Sequence, residues 1–151
     1  MQLPLFPQDF DGTAPIHASC VAVAGRGLLI MGASGTGKST MALHLMALGA
    51  QLVADDRVYL RAENGCLVAR SVPELRGTIE ARGLGLLRAD YVEETHLAAM
   101  LDLDRTETTR LPDSRKTRVL GCSIPLLFRI EGPHSAPALL QFLKCGLRGD
   151  L

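Results

Sequence analysis

Eight consecutive residues carry the densest chemistry in the chain: Gly32, Ala33, Ser34, Gly35, Thr36, Gly37, Lys38 and Ser39. They fit the pattern G-x-x-x-x-G-K-S/T, a glycine-rich turn followed by a lysine and a hydroxyl side chain. Glycine lets a backbone fold around an anion and turn its N–H groups inward. A helix starting near Lys38 adds unpaired N–H groups and the positive end of its dipole. Lys38 supplies a movable charge for the β- and γ-phosphates of a nucleotide, and the Ser39 hydroxyl a ligand for Mg²⁺. The glycine order, G-x-x-G-x-G, is not the G-x-G-x-x-G of a dinucleotide-binding turn. A chance lysine in a strand-to-helix turn is the plain alternative. The apolar run Leu28 to Met31 before the turn, and the helically spaced apolar residues to Leu48 after it, favour nucleotide binding.

Further candidates stand at the ends of apolar runs. Asp55 and Asp56 close the run Gln51 to Ala54, where an acidic residue can hold magnesium or act as a base. A solvated strand end is the other reading. Adjacent side chains on extended chain point opposite ways, so only one aspartate is expected to face the phosphates. Glu80 and Arg82 share one side of the extended stretch Gly77 to Leu87. They make a metal ligand with a phosphate clamp, or simply a salt bridge, and spacing leaves these even. His17, in the run Ile16 to Ala24, is by itself more often structural than functional.

The elements that would position these groups follow from pattern. Ile16 to Ala24 is expected as one strand, turned at Gly25-Arg26-Gly27 into the strand that feeds the loop, which would bring His17 beside the nucleotide. The helix after the loop is expected to end near Gly49. Val58 to Arg61 and Cys66 to Arg70 flank Asn64-Gly65, a strong hairpin pattern. Hairpins so close to the loop are unlike a doubly wound parallel sheet. Leu97 to Leu103 is taken as a strand, 104–118 as a mobile loop carrying Arg110, Arg115, Lys116 and Arg118, Ile124 to Ile130 as a strand, and Ala136 to Leu147 as an amphipathic helix. Residues 1–13 are expected to be an irregular arm.

Composition bounds the class. A chain of 151 residues with 47% hydrophobic residues is expected to fold as a single domain with its own core. Lys plus Arg equals Asp plus Glu at 16 each, which gives no support for broad binding to nucleic acid or an acidic membrane. The four cysteines form no C-x-x-C pair and sit among apolar neighbours, so buried reduced thiols are expected. The N-terminal stretch lacks the basic head and apolar core of a secretory signal, and no apolar run approaches bilayer length. A cytoplasmic protein is expected.

Taken together, the ordered blocks resemble a known family, the C-terminal catalytic domain of HPr kinase/phosphorylase. The blocks are Ile16-His17, GASGTGKST at 32–40, LVADDRV at 52–58, GTIEARGLGLL at 77–87 and, more weakly, RLPDSRKTRVL at 110–120. The resemblance implies an α/β P-loop domain with a mixed sheet and β-hairpins, similar to phosphoenolpyruvate carboxykinase. It implies an ATP- and Mg²⁺-dependent kinase that phosphorylates a serine of HPr, the phosphocarrier of the sugar phosphotransferase system, and so regulates carbon or nitrogen metabolism. Lys38 then matches the phosphate lysine, Ser39 and Glu80 the magnesium ligands, and Asp56 the residue that takes the acceptor proton. His17 matches an active-site histidine and Arg110 an active-site arginine. Longer members carry a further N-terminal domain and assemble as hexamers, so a homo-oligomer is one open outcome. Their basic loop, tied to reversal by phosphorolysis, is not recognisable in IPLLFRIEG at 124–132, and forward transfer is the activity expected. The alternative is a regulatory module that binds ATP and a partner without transferring phosphate.

Overall fold

Leu28 to Met31 lies inside a strand buried on both faces. Leu28 and Ile30 pack into one core, and Leu29 and Met31 into another. That is the reason the run is continuously apolar rather than alternating. In the computed structural model, which describes residues 5–7 and 9–149, this strand belongs to a mixed sheet.

The strands in chain order are β1 (Ile16–His17), β2 (Ser19–Val23), β3 (Arg26–Met31), β4 (Gln51–Ala54), β5 (Arg57–Glu63) and β6 (Cys66–Ser71). They continue with β7 (Thr78–Ala81), β8 (Gly85–Arg88), β9 (Glu94–Thr106), β10 (Lys116–Val119) and β11 (Cys122–Arg129). Two α-helices, α1 (Lys38–Ala47) and α2 (Ser135–Cys145), and a short 3₁₀ turn at Pro73–Leu75 complete the set among the described residues. The main sheet runs β1-β5-β6-β9-β3-β2-β4, with β11 also on β9 and β10 on β11. Pairings β3–β9 and β9–β11 are parallel, and the other strand pairs are antiparallel. The hairpin β7–β8 stands apart as a two-stranded sheet.

The helices cover one face, where Ala42, Leu45, Leu139 and Leu143 meet Leu28, Ile30 and Leu101. On the other face Leu29, Met100, Val58, Ile124 and Leu126 form the second core, and Leu5, Phe6 and Phe10 of the N-terminal arm pack onto it. Cys20 and Cys122 are buried as expected, whereas Cys66 and Cys145 are exposed, and all four are free thiols. Among the described residues no helix is long and apolar enough to cross a membrane.

The expected strand Ile16 to Ala24 is two strands, a correction that matters for the site. Ser19 pairs with Ile30 near the end of β3, beyond which the chain turns into the glycine loop. Backbone groups before Ser19 need another partner. They find it in β5, where His17 lies opposite Arg57, and Ala18 N–H donates to Asp56 O at 3.3 Å. The hairpin turn after β2 is Ala24-Gly25, with Gly27 inside β3. At Asn64-Gly65 the expected turn is found, both residues having positive φ between paired Glu63 and Cys66.

β9 is longer than the apolar run that suggested it, because it is paired along both edges. The segment expected as a loop from 104 to 118 is therefore shorter: its first residues belong to β9 and its last to β10. α2 stops at Cys145, where Gly146 takes a positive φ.

Candidate active site

The loop between β3 and α1 is shaped by its own backbone. Thr36 N–H and Oγ1 both donate to Ala33 O, at 3.2 and 2.7 Å, which makes a tight turn. Gly35 and Gly37 have φ of 85° and 97°, and a Cβ built on either would meet nothing within 4 Å. Their bare α-carbons thus face open space, in a conformation that L side chains rarely adopt. Gly37 is the residue before α1 and offers no side-chain cap, so the first N–H groups of the helix are left to an outside acceptor.

Lys38 opens α1 and folds back over the loop. Its Nζ donates to Gly32 O at 2.8 Å and Ala33 O at 3.2 Å. Ser39 points the other way, and its hydroxyl donates to Asp55 Oδ1 at 2.8 Å. Asp55 is buried at the end of β4, and it also accepts from Ser19 Oγ at 2.7 Å and from Glu80 N–H at 3.1 Å, the latter on Oδ2. This one carboxylate ties together β2, α1, β4 and β7.

Asp56 takes the opposite direction. Its side chain is 63% exposed and its φ is 71°, a left-handed backbone that aspartate tolerates better than most residues. His17 Nδ1 lies 3.7 Å from Asp56 Oδ1, and Arg57 Nε lies 3.9 Å from Oδ2. One aspartate is inside and the other faces out, separated by the left-handed turn at Asp56 rather than by the alternation of extended chain.

These elements enclose a cleft of about 660 Å³. It is lined by His17, Ser19, Gly32, Ala33, Ser34, Gly35, Gly37, Lys38, Ser39, Thr40, Asp56, Glu80 and Arg82. His17, Lys38, Ser39, Asp56 and Glu80 are thus brought to one cavity. Thr36 is in the loop but is not among the lining residues. Arg110 is exposed on the segment after β9 and does not line the cleft. His17 reaches the cleft from β1 paired with β5, not from a strand paired with β3 as its run suggested.

The residues missed by sequence reasoning are Asp55 as the buried hub and Ser19 as its second hydroxyl donor. Ser19 stands two residues from His17, the same-face spacing of extended chain, which was the available hint.

The donor set suits a hard cation with a polyphosphate. Among the described residues no group of three or more His, Cys, Asp and Glu is gathered as a self-sufficient metal cage. Magnesium does not need one, because it keeps waters and takes one or two protein oxygens beside phosphate oxygens. The Ser39 hydroxyl and the Glu80 carboxylate are protein oxygens of that kind. The open glycine face and the cation of Lys38 fit the phosphates.

Comparison with known proteins gives the chain's family. The family model described as HPr Serine kinase C-terminal domain matches residues 8–101. An HPr kinase/phosphorylase of Chlorobium chlorochromatii is 39% identical over 126 residues, covering 74% of this chain and 38% of that protein. One of Treponema pallidum is 33% identical over 147 residues, covering 87% of this chain and 46% of that protein. The chain therefore spans less than half the length of these relatives. In fold it is similar to the solved Hpr(Ser) kinase/phosphatase from Coxiella burnetii, with a TM-score of 0.69 and 24% identity over 86% of this chain and 93% of that one. The family model's match over more than half of the chain shows that the protein belongs to the HPr serine kinase C-terminal domain family.

Proposed function

We propose that this chain is a cytoplasmic catalytic domain that uses ATP and Mg²⁺ to phosphorylate a serine of HPr or an HPr-like phosphocarrier, and so regulates carbon or nitrogen metabolism. The observation that carries the reading is the meeting of Lys38, Ser39, Glu80 and an outward-facing Asp56 in one open cleft. The loop Gly32 to Ser39 binds the phosphates through backbone N–H groups. Lys38 leaves Gly32 O and Ala33 O to reach them. Ser39 and Glu80 hold the cation, which when bound offsets charge on the phosphoryl oxygens. Asp56 accepts the proton of the incoming serine hydroxyl, a poor nucleophile until that proton is taken. The exposure of Asp56 leaves room for a hydroxyl presented by another protein. His17 lies beside Asp56 and orients it.

Labelled ATP and HPr incubated with the protein test this directly. Label on a serine is expected, and none with a folded protein overturns the reading. A second reading, ATP binding without transfer, draws on Arg110, which is exposed and not among the residues lining the cleft. Tight ATP binding with no transfer to any phosphocarrier selects that reading. Adding inorganic phosphate to the labelled product tests reversal, for which no release is expected.

A further inference from the structure

Two side chains outside the cleft hold the glycine loop from behind. Asp104, on β9, accepts the Ala33 N–H on its carboxylate at 3.0 and 3.2 Å. Arg129, the last residue of β11, donates from Nη2 to Thr36 O at 2.7 Å and from Nε to Leu103 O at 3.1 Å. The loop is therefore gripped at both ends of its Ala33–Thr36 turn, once through an N–H and once through a carbonyl. Asp104 is itself set in place, since its N–H donates to Oδ1 of the buried Asp102 at 2.9 Å. Both grips come from strands that lie side by side and parallel, and β9 also pairs directly with β3, which leads into the loop.

Lys38 supplies the reason such a grip is needed. Its ammonium now holds Gly32 O and Ala33 O. When it turns to a phosphate Gly32 O loses that donor and Ala33 O keeps only the Thr36 N–H and hydroxyl of its own turn, so contacts from outside the loop are what fix the turn to the sheet. We propose that Asp104 and Arg129 are positioning residues that keep the Gly32 to Ser39 loop in its anion-receiving shape while Lys38 moves between loop and ligand. Neither is among the residues that line the cleft, so neither is proposed as a catalytic residue. The effect on binding rests on the nucleotide reading above, but the grip itself does not.

The test separates the two. Amide hydrogen exchange is measured by NMR on the ligand-free protein for residues 33–37, and Mg-ATP binding by calorimetry, in Asp104→Ala, Asp104→Asn, Arg129→Met and Arg129→Lys. Asp104→Ala and Arg129→Met are expected to speed exchange in the loop, and to weaken Mg-ATP binding, each by about tenfold, the scale of one lost charge-assisted hydrogen bond. Asp104→Asn keeps an acceptor for Ala33 N–H and is expected to restore both. Arg129→Lys, which cannot reproduce the planar fork, is expected to restore part. Where transfer is measured, the KM for ATP should rise and kcat should change little. Unchanged loop exchange in Asp104→Ala and Arg129→Met overturns the proposal, as does faster exchange with unchanged affinity. A wild-type protein that binds no Mg-ATP sinks the nucleotide reading, while the exchange measurement still decides the grip. If Arg129→Met does not fold, Arg129→Lys and Asp104→Ala carry the comparison.

Discussion

The Ser39 hydroxyl donates to Asp55 Oδ1 at 2.8 Å, which joins the last residue of the glycine loop to the buried end of β4. Ser19 reaches the same oxygen, and the Glu80 N–H the other one. If Ser39 turns toward a cation, Ser19 stays on Oδ1, and the buried carboxylate is not left bare.

Asp55→Ala removes the acceptor of three donors at once. Orphaned buried donors cost about 1–3 kcal/mol each before relaxation, so a loss of about 2–4 kcal/mol is expected in urea denaturation. Asp55→Asn turns an amide toward hydroxyl donors and should cost less. Ser19→Ala should cost least, because Ser39 still holds Oδ1.

Asp56→Asn is the cleaner probe of chemistry. Asparagine tolerates the left-handed backbone at this position, so stability should be close to wild type. Calorimetric ATP binding should survive. The rate of serine phosphorylation should fall by about 10²–10⁴, the usual contribution of a general base. Lost binding with intact folding would reassign Asp56 to holding the metal.

Gly37→Ala separates shape from fold. At φ 97° an alanine is strained by about 1–2 kcal/mol, and its methyl would point into open space. Denaturation should show only that strain. ATP affinity should fall much further, because the methyl stands where the backbone must approach the anion.

Acid should weaken the fold through two glutamates. Glu94 lies below its ordinary 4.5 chiefly because Arg61 donates to it, and Glu107 below 4.5 chiefly because Arg115 does. A lowered carboxylate stabilises the fold only when ionised, so its contribution is complete above 4.5 and is lost as pH falls through the folded-state value. Thermal melts below pH 4.5 should therefore show falling Tm, and Glu107→Gln should flatten that slope. The effect of Glu94 should be small, since both partners of that pair are exposed.

Thiol labelling should split the cysteines. Burial raises the Cys20 thiol well above its ordinary range, and Cys122 is also buried. Cys66 and Cys145 should react promptly with a thiol reagent in the native protein, and the other two only on unfolding.

What could be read from local pattern was the part built by neighbours in the chain. The strand Leu28 to Met31, the glycine loop, the start of α1 and the Asn64-Gly65 turn each follow from spacing and backbone freedom. Arg110 shows the opposite case: resemblance put it in the site, but its position depends on how the segment after β9 runs, and it lies off the cleft. His17 lines the same cleft as the glycine loop, but from a two-residue strand paired with β5 rather than with β3.

By itself the sequence determined that a glycine-rich loop stands between a strand and a helix, with acidic residues close behind. Only the tertiary structure decided that Asp55 turns inward and Asp56 outward, that Ser19 shares a carboxylate with Ser39, and that Asp104 and Arg129 grip the loop. The physical reason is range. Turns and helix starts depend on residues a few positions apart, whereas these contacts join residues up to 93 positions apart, and the folded sheet brings them within hydrogen-bond reach.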